Sequence, residues 1–168
     1  LHRNDDAVAD LSVDVHDVGD WERRWARERQ GELFLRIALR TELNESAAAD
    51  AAAGWGNDVR LTYEHGGENA TAWVLRWDDA ANASEFEAAF ERYLGAKATR
   101  DGTVWEQDDG NATYRLQRVT NRTTVVYIGN ESFVRAANAT ATDSSRVEIG
   151  SENDSAASMP RPQNPNPT

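Results

Sequence analysis

The sequence predicts an α+β fold in which an antiparallel sheet of about five strands carries helices on one face. Segments with three- and four-residue apolar spacing alternate with segments typical of strands. Short turns rich in Gly, Asn and Asp join consecutive predicted strands, and such turns favour antiparallel pairing. Because the chain has 168 residues, 39% of them hydrophobic, and six tryptophans, we expect one domain around one core.

The N-terminal part predicts an edge strand followed by helices. Residues 11–18 alternate apolar and polar side chains, as a short edge strand does. Asp20 is a favourable N-cap for a helix that Gly31 kinks or divides in two. Residues 46–53 predict a second, short helix. The expected apolar face of the first helix comprises Trp21, Trp25, Phe34, Ile37, Ala38 and Thr41.

The segment Gly54-Trp55-Gly56-Asn57-Asp58 is expected to form a turn after the second helix. Gly54 would end the helix with a positive φ, as helix-terminating glycines often do. Asn57 would take a left-handed conformation, which asparagine tolerates better than other non-glycine residues. Asp58 would stabilise the turn by accepting hydrogen bonds from backbone N–H groups.

Trp55 is expected to lie in the core, because two glycines flank it and leave it free to turn inward. The alternative is a solvent-facing Trp55 that stacks on a sugar or a partner chain. Asp58 and Asp78 each adjoin a tryptophan-bearing motif, so we expect them to act as caps or to pair with Arg60 or Arg76. The expected neighbours of Trp55 are Trp73 or Trp77 from the hairpin and Phe86 or Phe90 from the third helix.

The remaining chain predicts a hairpin, a helix, three strands and a closing helix. The hairpin pairs VRLTYEH with TAWVLRW across Gly66-Gly67. The third helix begins at Asp78, the strands lie around GTVWEQ, ATYRLQRV and TTVVYIG, and the closing helix spans 130–137. The predicted organisation is an irregular acidic segment with a possible edge strand (1–18), an α+β domain (19–140) and a disordered Ser/Asn/Pro-rich tail (141–168).

The charge of the chain indicates a protein adapted to molar salt. The formal net charge is −11, and of the 18 basic residues only Lys97 is a lysine. High salt screens the self-repulsion that such a surface creates. The alternative is an ordinary acidic protein from a GC-rich genome, in which arginine replaces lysine for codon reasons. The same charge argues against nucleic acid as a partner, because no basic stripe is present to neutralise phosphates.

Eight Asn-x-Ser/Thr sequons indicate an exported glycoprotein. Export would place the chain at the cell surface or in the extracellular medium, and it would require a targeting signal upstream of Leu1, because the visible N-terminus is polar. No apolar run reaches membrane-spanning length. The alternative is that N-A-T recurs because the chain is rich in these residues. The acceptor positions are Asn44, Asn69, Asn82, Asn111, Asn121, Asn130, Asn138 and Asn153.

The sequence predicts no catalytic site, no metal and no cofactor. Cysteine is absent, which excludes thiol nucleophiles and cysteine metal ligands. His2, His16 and His65 are far apart, whereas a zinc site needs three or four converging ligands. No serine is marked as the partner of a histidine, and the 29 acidic residues single out no pair for acid–base work.

The segments 31–66 and 71–94 resemble the C-terminal domain of haloarchaeal surface proteins of uncharacterised function. Similar segments occur in bacterial secreted proteins, downstream of a metallopeptidase-like His-Glu-x-x-His domain. The resemblance spans roughly residues 10–140, and no activity is attached to its motifs. Asn57, Val59 and Asn82 depart from the family pattern, which has Gly, Arg and Asp there. The matching residues are Gly31, Glu32, Gly54, Trp55, Gly56, Asp58, Trp73, Trp77, Asp78, Ala83, Glu85 and Phe86.

Three functions are compatible with these observations. The first is a non-catalytic, glycosylated extracellular domain that binds or assembles with other surface proteins. The second is the accessory C-terminal domain of a secreted zinc metallopeptidase-like protein. The third is a subunit of an extracellular filament or layer, in which the strand-like segment 11–18 would add to the sheet edge of a neighbour.

Overall fold

The computed structural model describes residues 8–151, and within this range the chain is mostly β, with 46% of residues in strands and 27% in helices. The α+β prediction of a five-stranded sheet with helices is therefore wrong. Asn153 and most of the predicted tail lie outside the described residues, as does the side chain of Trp25.

The strands are β1 (Ser12–Val15), β2 (Glu22–Glu28), β3 (Trp55–His65), β4 (Glu68–Trp77), β5 (Ala98–Asp101), β6 (Val104–Gln107), β7 (Thr113–Thr120), β8 (Thr123–Gly129), β9 (Ala137–Ala141) and β10 (Arg146–Ser151). The helices are α1 (Gly31–Leu39), α2 (Glu45–Ala52), α3 (Ala80–Gly95) and α4 (Glu131–Ala136).

The strands form two sheets. The larger sheet is antiparallel and has seven strands in the order β2-β3-β4-β8-β7-β6-β5. The smaller sheet has the order β1-β10-β9, and β1 pairs with β10 in parallel. Both faces of the large sheet are covered. Helices α1, α2 and α3 pack on one face, and the small sheet with α4 packs on the other.

The central strand β4 shows why two layers are needed. Residues 72–77 are all buried, with Trp73, Leu75 and Trp77 in the core under the helices, and Ala72 and Val74 in the core under the small sheet. Alternate side chains of a strand point to opposite faces, so a continuous apolar run requires cover on both. The sequence TAWVLRW carries this signal, but a second covering layer was not predicted from it.

The segment after Asp20 is a strand, so the helix predicted to begin there is wrong. Residues Glu22–Glu28 form β2, which pairs with β3, and helix α1 begins only at Gly31. Arg27 Nη1 donates to the carbonyl of Val13 at 2.9 Å, which ties β2 to the small sheet. Pairing with β3, supported by this side-chain hydrogen bond to β1, thus overrides the helical spacing of the apolar residues.

The folded chain extends past residue 140, where the sequence predicted the start of a disordered tail. The last residue of β9 is Ala141, and β10 pairs with both β9 and β1. Residues 11–18 do contain a strand, and β1 lies at the edge of the small sheet, as expected for that segment.

Several local predictions are confirmed. The hairpin of β3 and β4 turns at Gly66 and Gly67, which have φ values of 58° and 81°. Helix α3 is present but begins slightly later than the expected Asp78, because Asp79 is its N-cap and accepts from Asn82 N at 2.8 Å; α4 begins after Asn130. Within residues 8–151, no helix has the length and apolar character needed to cross a bilayer.

Candidate functional site

The Gly54–Asp58 segment leads directly into a strand. Trp55 is the first residue of β3, and a bulge separates it from Asn57 in the pairing with β4. The predicted turn is wrong in detail: Gly54 does not have a positive φ, and neither does any non-glycine residue of the described range, Asn57 included.

Gly54 is a glycine because helix α3 packs against it. A Cβ at this position would lie 2.1 Å from Cγ of Asn82. Gly56 is enclosed less tightly, since a Cβ there would lie 3.1 Å from Ala9 Cβ and 3.2 Å from both the Arg76 carbonyl oxygen and Asp78 Oδ1. The two glycines thus allow close packing around Trp55 rather than a left-handed turn.

Asp58 is the centre of a buried polar network. Its side chain is fully buried. Oδ1 accepts from Gly31 N at 2.8 Å and from Trp55 Nε1 at 3.0 Å. Oδ2 accepts from Gln30 N and from Trp73 Nε1, both at 2.9 Å. Each carboxylate oxygen therefore receives one backbone N–H and one indole N–H.

This network caps helix α1 from a distant part of the chain. The first N–H groups of a helix have no partner within the helix, and they favour a negative charge. Gln30 at the N-cap position makes no side-chain capping bond, and Asp58 supplies the missing acceptor. Asp58 was predicted to bind backbone N–H groups, and it does, but those groups belong to residues 30 and 31 and not to its own turn.

Asn57 extends the network to the segments before the helix. Its Oδ1 accepts from Arg29 Nε at 2.9 Å and from the N–H of Asp58 at 2.8 Å. Its Nδ2 donates to the carbonyl of Ala9 at 2.8 Å. Asn57 thereby connects the start of β3 to Ala9, which precedes β1 in the chain, and to Arg29, which directly follows β2.

Of the two roles expected for Asp58 and Asp78, Asp58 takes that of a cap, and Arg60 and Arg76 have other partners. Arg60 Nη1 lies 4.0 Å from Glu28 Oε2, on the neighbouring strand β2. Arg76 is buried, and its Nη1 donates to Thr123 Oγ1 and the Ser144 carbonyl. Burial lowers the pKa of Arg76, and nearby Arg122 lowers it further. The exposed Asp78 contributes its backbone N–H, which donates to the Gly54 carbonyl at 2.8 Å.

Trp55 is neither fully buried nor a free platform. Its ring is half-buried and packs at the margin of the core that holds Trp73, Trp77, Phe86 and Phe90, the predicted neighbours. Trp77 is the fully buried tryptophan of this motif, and it stacks on Phe86 with ring centroids 4.7 Å apart. The indole N–H of Trp77 donates to Thr124 Oγ1 at 3.0 Å.

Helix α1 exposes three large apolar side chains, which we call the apolar patch. Leu33 is 66% exposed, Phe34 43% and Ile37 56%. The buried residues of this helix are Leu35 and Leu39. The prediction that Phe34 and Ile37 face the core is therefore wrong: the inward face is rotated by about one residue.

The apolar patch is connected to the Asp58 network through Trp73. The Phe34 ring meets the Trp73 ring edge-on, with centroids 5.9 Å apart, and Trp73 donates its indole N–H to Asp58. The carboxylate thus holds both the first turn of α1 and the aromatic ring beneath the patch. With four donors on its two oxygens, the Asp58 carboxylate directs its hydrogen-bonding capacity to groups of its own chain.

The structure places the predicted glycosylation sites at unequal depths. Asn82 packs against Gly54, and Asn138 accepts from Gln117 Nε2 at 3.1 Å, so these two half-buried side chains are poorly placed for a glycan. Asn44 is exposed, with its Oδ1 accepting from Ala47 N at the start of α2. The exposed acceptors are Asn44, Asn69, Asn111, Asn121 and Asn130. Asn69, Asn111 and Asn130 line one cleft of about 670 Å³.

No cluster of three or more metal-binding side chains is found among residues 8–151. Sequence reasoning identified Gly54, Trp55, Gly56, Asp58, Trp73, Trp77, Asp78 and Phe86 as one motif, and the structure brings them together. Sequence reasoning did not connect Gln30 and Gly31 to Asp58, whose backbone donors they are. The signal for a helix that starts at this point is Gly31 itself, which was expected to kink or divide a longer helix, followed by apolar residues at helical spacing.

These features define a mostly-β domain of three layers, in which a buried carboxylate holds a helix that exposes an apolar face. Residues 20–145 match the model of a family described as a domain of unknown function, DUF8575, and the chain belongs to this family. No curated protein and no solved structure shows significant similarity to the chain. The family description names no activity, and the resemblance to haloarchaeal surface domains stays a prediction.

Proposed function

We propose that this chain is a non-catalytic, N-glycosylated extracellular domain of a halophilic archaeon, and that it assembles with a neighbouring surface protein through the apolar patch of α1. The observation that carries the proposal is the patch itself. Leu33, Phe34 and Ile37 are between 43% and 66% exposed in a chain whose mean hydropathy is −0.73. Contiguous exposed apolar side chains on a polar surface mark sites of contact with other molecules.

The network beneath the patch supports a contact role. Removing a carboxylate from water is costly unless hydrogen bonds compensate for it, and Asp58 receives four. The result is a helix whose N-terminus is held by a distant strand. A pre-positioned apolar face loses little conformational freedom on binding, which favours affinity.

The proposed extracellular location is supported by the surface chemistry of the chain. The net charge of −11 with a single lysine suits molar salt, and at least five sequon side chains are exposed. Strand β1 pairs with β10 of its own chain on one side and lies at the edge of the small sheet, so strand addition to a neighbour would use its outer side. Assembly through the apolar patch would use the helical layer on the other face of the large sheet.

Two experiments on native material test separately whether the chain is glycosylated and whether the apolar patch mediates a contact. Intact-mass measurement should show hexose-sized increments, with Asn82 and Asn138 unmodified; an unmodified mass would remove the glycoprotein assignment. For the contact, the cell-envelope fraction is compared between wild type and the double variant Leu33→Gln/Ile37→Gln. The matched control is Ala80→Gln/Ala81→Gln, which adds the same side chains to exposed positions of α3. We expect only the patch variant to leave the envelope, and its full retention would refute the contact role.

A further inference from the structure

We infer that the partner of the apolar patch is a second copy of this chain, which receives the patch in the groove between its own helices α2 and α3. This inference rests on the proposed function and names the partner of the same surface. Two separate features of the helical layer carry it: an apolar face with arginines beside it, and a small-residue groove with carboxylates at its rim.

The groove has the shape and lining that an apolar helix face requires. It has a volume of about 1160 Å³ and runs between α2 and α3. Ala47, Ala51 and Ala88 line it, and Trp105 lies at one side. Alanine side chains let another backbone approach closely, while leaving room for larger side chains such as Leu and Ile.

The rim of the groove is acidic and the border of the patch is basic. Three exposed carboxylates, Asp50, Glu85 and Glu91, line the groove against one exposed guanidinium, that of Arg92. Arg36 and Arg40 follow Leu33 and Ile37 at three-residue steps, so they lie on the same side of α1 as the patch.

The segment that carries the apolar patch is basic in a chain that is otherwise acidic. Arg40 is exposed, and its Nη1 lies 3.9 Å from Glu45 Oε1, at the outer limit of an ion pair. In residues 22–42, six arginines against four glutamates give a local charge of +2, whereas the whole chain carries −11. A region of opposite charge on so acidic a molecule can pair with the acidic remainder of another copy.

The arrangement fits reciprocal pairing. Helices α1, α2 and α3 pack into the same core on one face of the large sheet, so patch and groove belong to one layer. When two copies face each other through this layer, each can place its patch in the groove of the other, as an interface with two-fold symmetry requires.

The sequon at Asn44 sets a condition on this pairing. Asn44 lines the same groove and its side chain is exposed, so a glycan on it would fill the space. The inference therefore requires Asn44 to be unmodified in native material. A hexose-bearing peptide containing Asn44 would overturn it, while glycans on other acceptors would not affect it.

The test uses the full chain, produced without N-glycans, in molar NaCl, and measures its mass by sedimentation equilibrium over a range of concentrations. Ile37→Asp alters the patch and Ala88→Arg blocks the groove. Both positions are exposed, so the variants should fold, which circular dichroism would verify. The matched controls are Ala81→Asp and Ala80→Arg, which make the same kinds of change at exposed positions of α3 that do not line the groove.

We expect the wild type and both controls to dimerise. Each variant should weaken dimerisation at least about tenfold, because a charge replaces or displaces an apolar contact. An equimolar mixture of the two variants should recover part of the dimer, since one intact patch still meets one intact groove.

Three results would overturn the inference: a wild type that is monomeric at all concentrations, an Ala88→Arg variant that dimerises normally, or a control that weakens the dimer as strongly as a variant. A monomeric wild type combined with loss of the Leu33→Gln/Ile37→Gln variant from the envelope would refute self-pairing and leave the proposed contact role intact. The reverse combination, a dimer that needs patch and groove but no envelope retention, would support self-pairing and refute the surface role.

Discussion

Replacing Asp58 with asparagine should destabilise the protein strongly, because two of its four hydrogen bonds are lost in either orientation of the amide. Each carboxylate oxygen accepts from one backbone N–H and one indole N–H. The NH₂ group of asparagine must replace one oxygen and then faces two donors. A hydrogen bond to a charged group contributes roughly 1.5–3 kcal/mol, so two lost bonds amount to roughly 3–6 kcal/mol. At about 2–4 °C per kcal/mol, the melting temperature should fall by roughly 6–24 °C.

Thermal and urea denaturation in molar salt measure this loss, and a double-mutant cycle assigns it to the network. Trp55→Phe removes one donor while keeping an aromatic ring, so it should cost less than Asp58→Asn. In the double variant the asparagine amide can face the vacated position. The double variant should therefore lose less stability than the sum of the two single losses, by at least about 0.5 kcal/mol. A stability of Asp58→Asn within about 1 kcal/mol of wild type, or strictly additive losses, would refute the role given to Asp58.

Four further outcomes follow from the structure. The melting temperature should rise steeply with NaCl or KCl, because the net charge of −11 repels itself once the Debye length exceeds about 8 Å; a flat response would remove the halophilic assignment. Gly54→Ala should cost about 1–3 kcal/mol through its clash with Cβ and Cγ of Asn82, and Asn82→Gly, which removes both atoms, should partly restore stability in the double variant, which a left-handed Gly54 would not allow. Trp77→Ala should cost about 3–5 kcal/mol and Trp55→Ala distinctly less, because only Trp77 is fully buried; equal losses would contradict this ranking. Burial raises the pKa of Tyr63 and Tyr127 above the ordinary 10.0. Above pH 10 the folded state therefore binds more protons than the unfolded state, and the free energy of unfolding should fall as the pH rises further. Normal titration of both phenols in the folded chain would contradict this prediction.

Local signals in the sequence were sufficient for the elements that depend on near neighbours. The β3–β4 hairpin has a two-glycine turn between alternating segments, and α3 has an acidic N-cap followed by an apolar face. In both cases the residues that specify the element lie within it or beside it, so periodicity and turn chemistry identify them.

The small sheet could not be predicted because its stability comes from pairing between distant segments. β9 has the sequence ANATA and β10 the sequence RVEIGS, which resemble a polar tail in composition. β10 becomes a strand by pairing with β1, more than 130 residues earlier in the chain (Ser12 opposite Arg146). The apolar side chains that it contributes, Val147 and Ile149, are buried only when both sheets are present.

The candidate site was predicted in composition but not in geometry. The tryptophans, glycines and Asp58 were recognised as one motif because their spacing is unusual, and Asp58 was correctly expected to bind backbone N–H groups. Its partners are 27 and 28 residues upstream, at the start of a helix whose boundary was placed wrongly. Without that boundary, the outward direction of Ile37 could not be deduced.

Hydrogen exchange of the α1 backbone tests the central claim, that the buried Asp58 carboxylate holds this helix and its apolar patch in place. Wild type and Asp58→Asn are compared by mass spectrometry, under conditions where both remain folded, in peptides that cover residues 29–40 and, as an internal control, helix α3. The account predicts that Asp58→Asn loses protection in α1 by a much larger factor than in α3. Equal protection of α1 in both proteins, or an equal loss in α1 and α3, would contradict it.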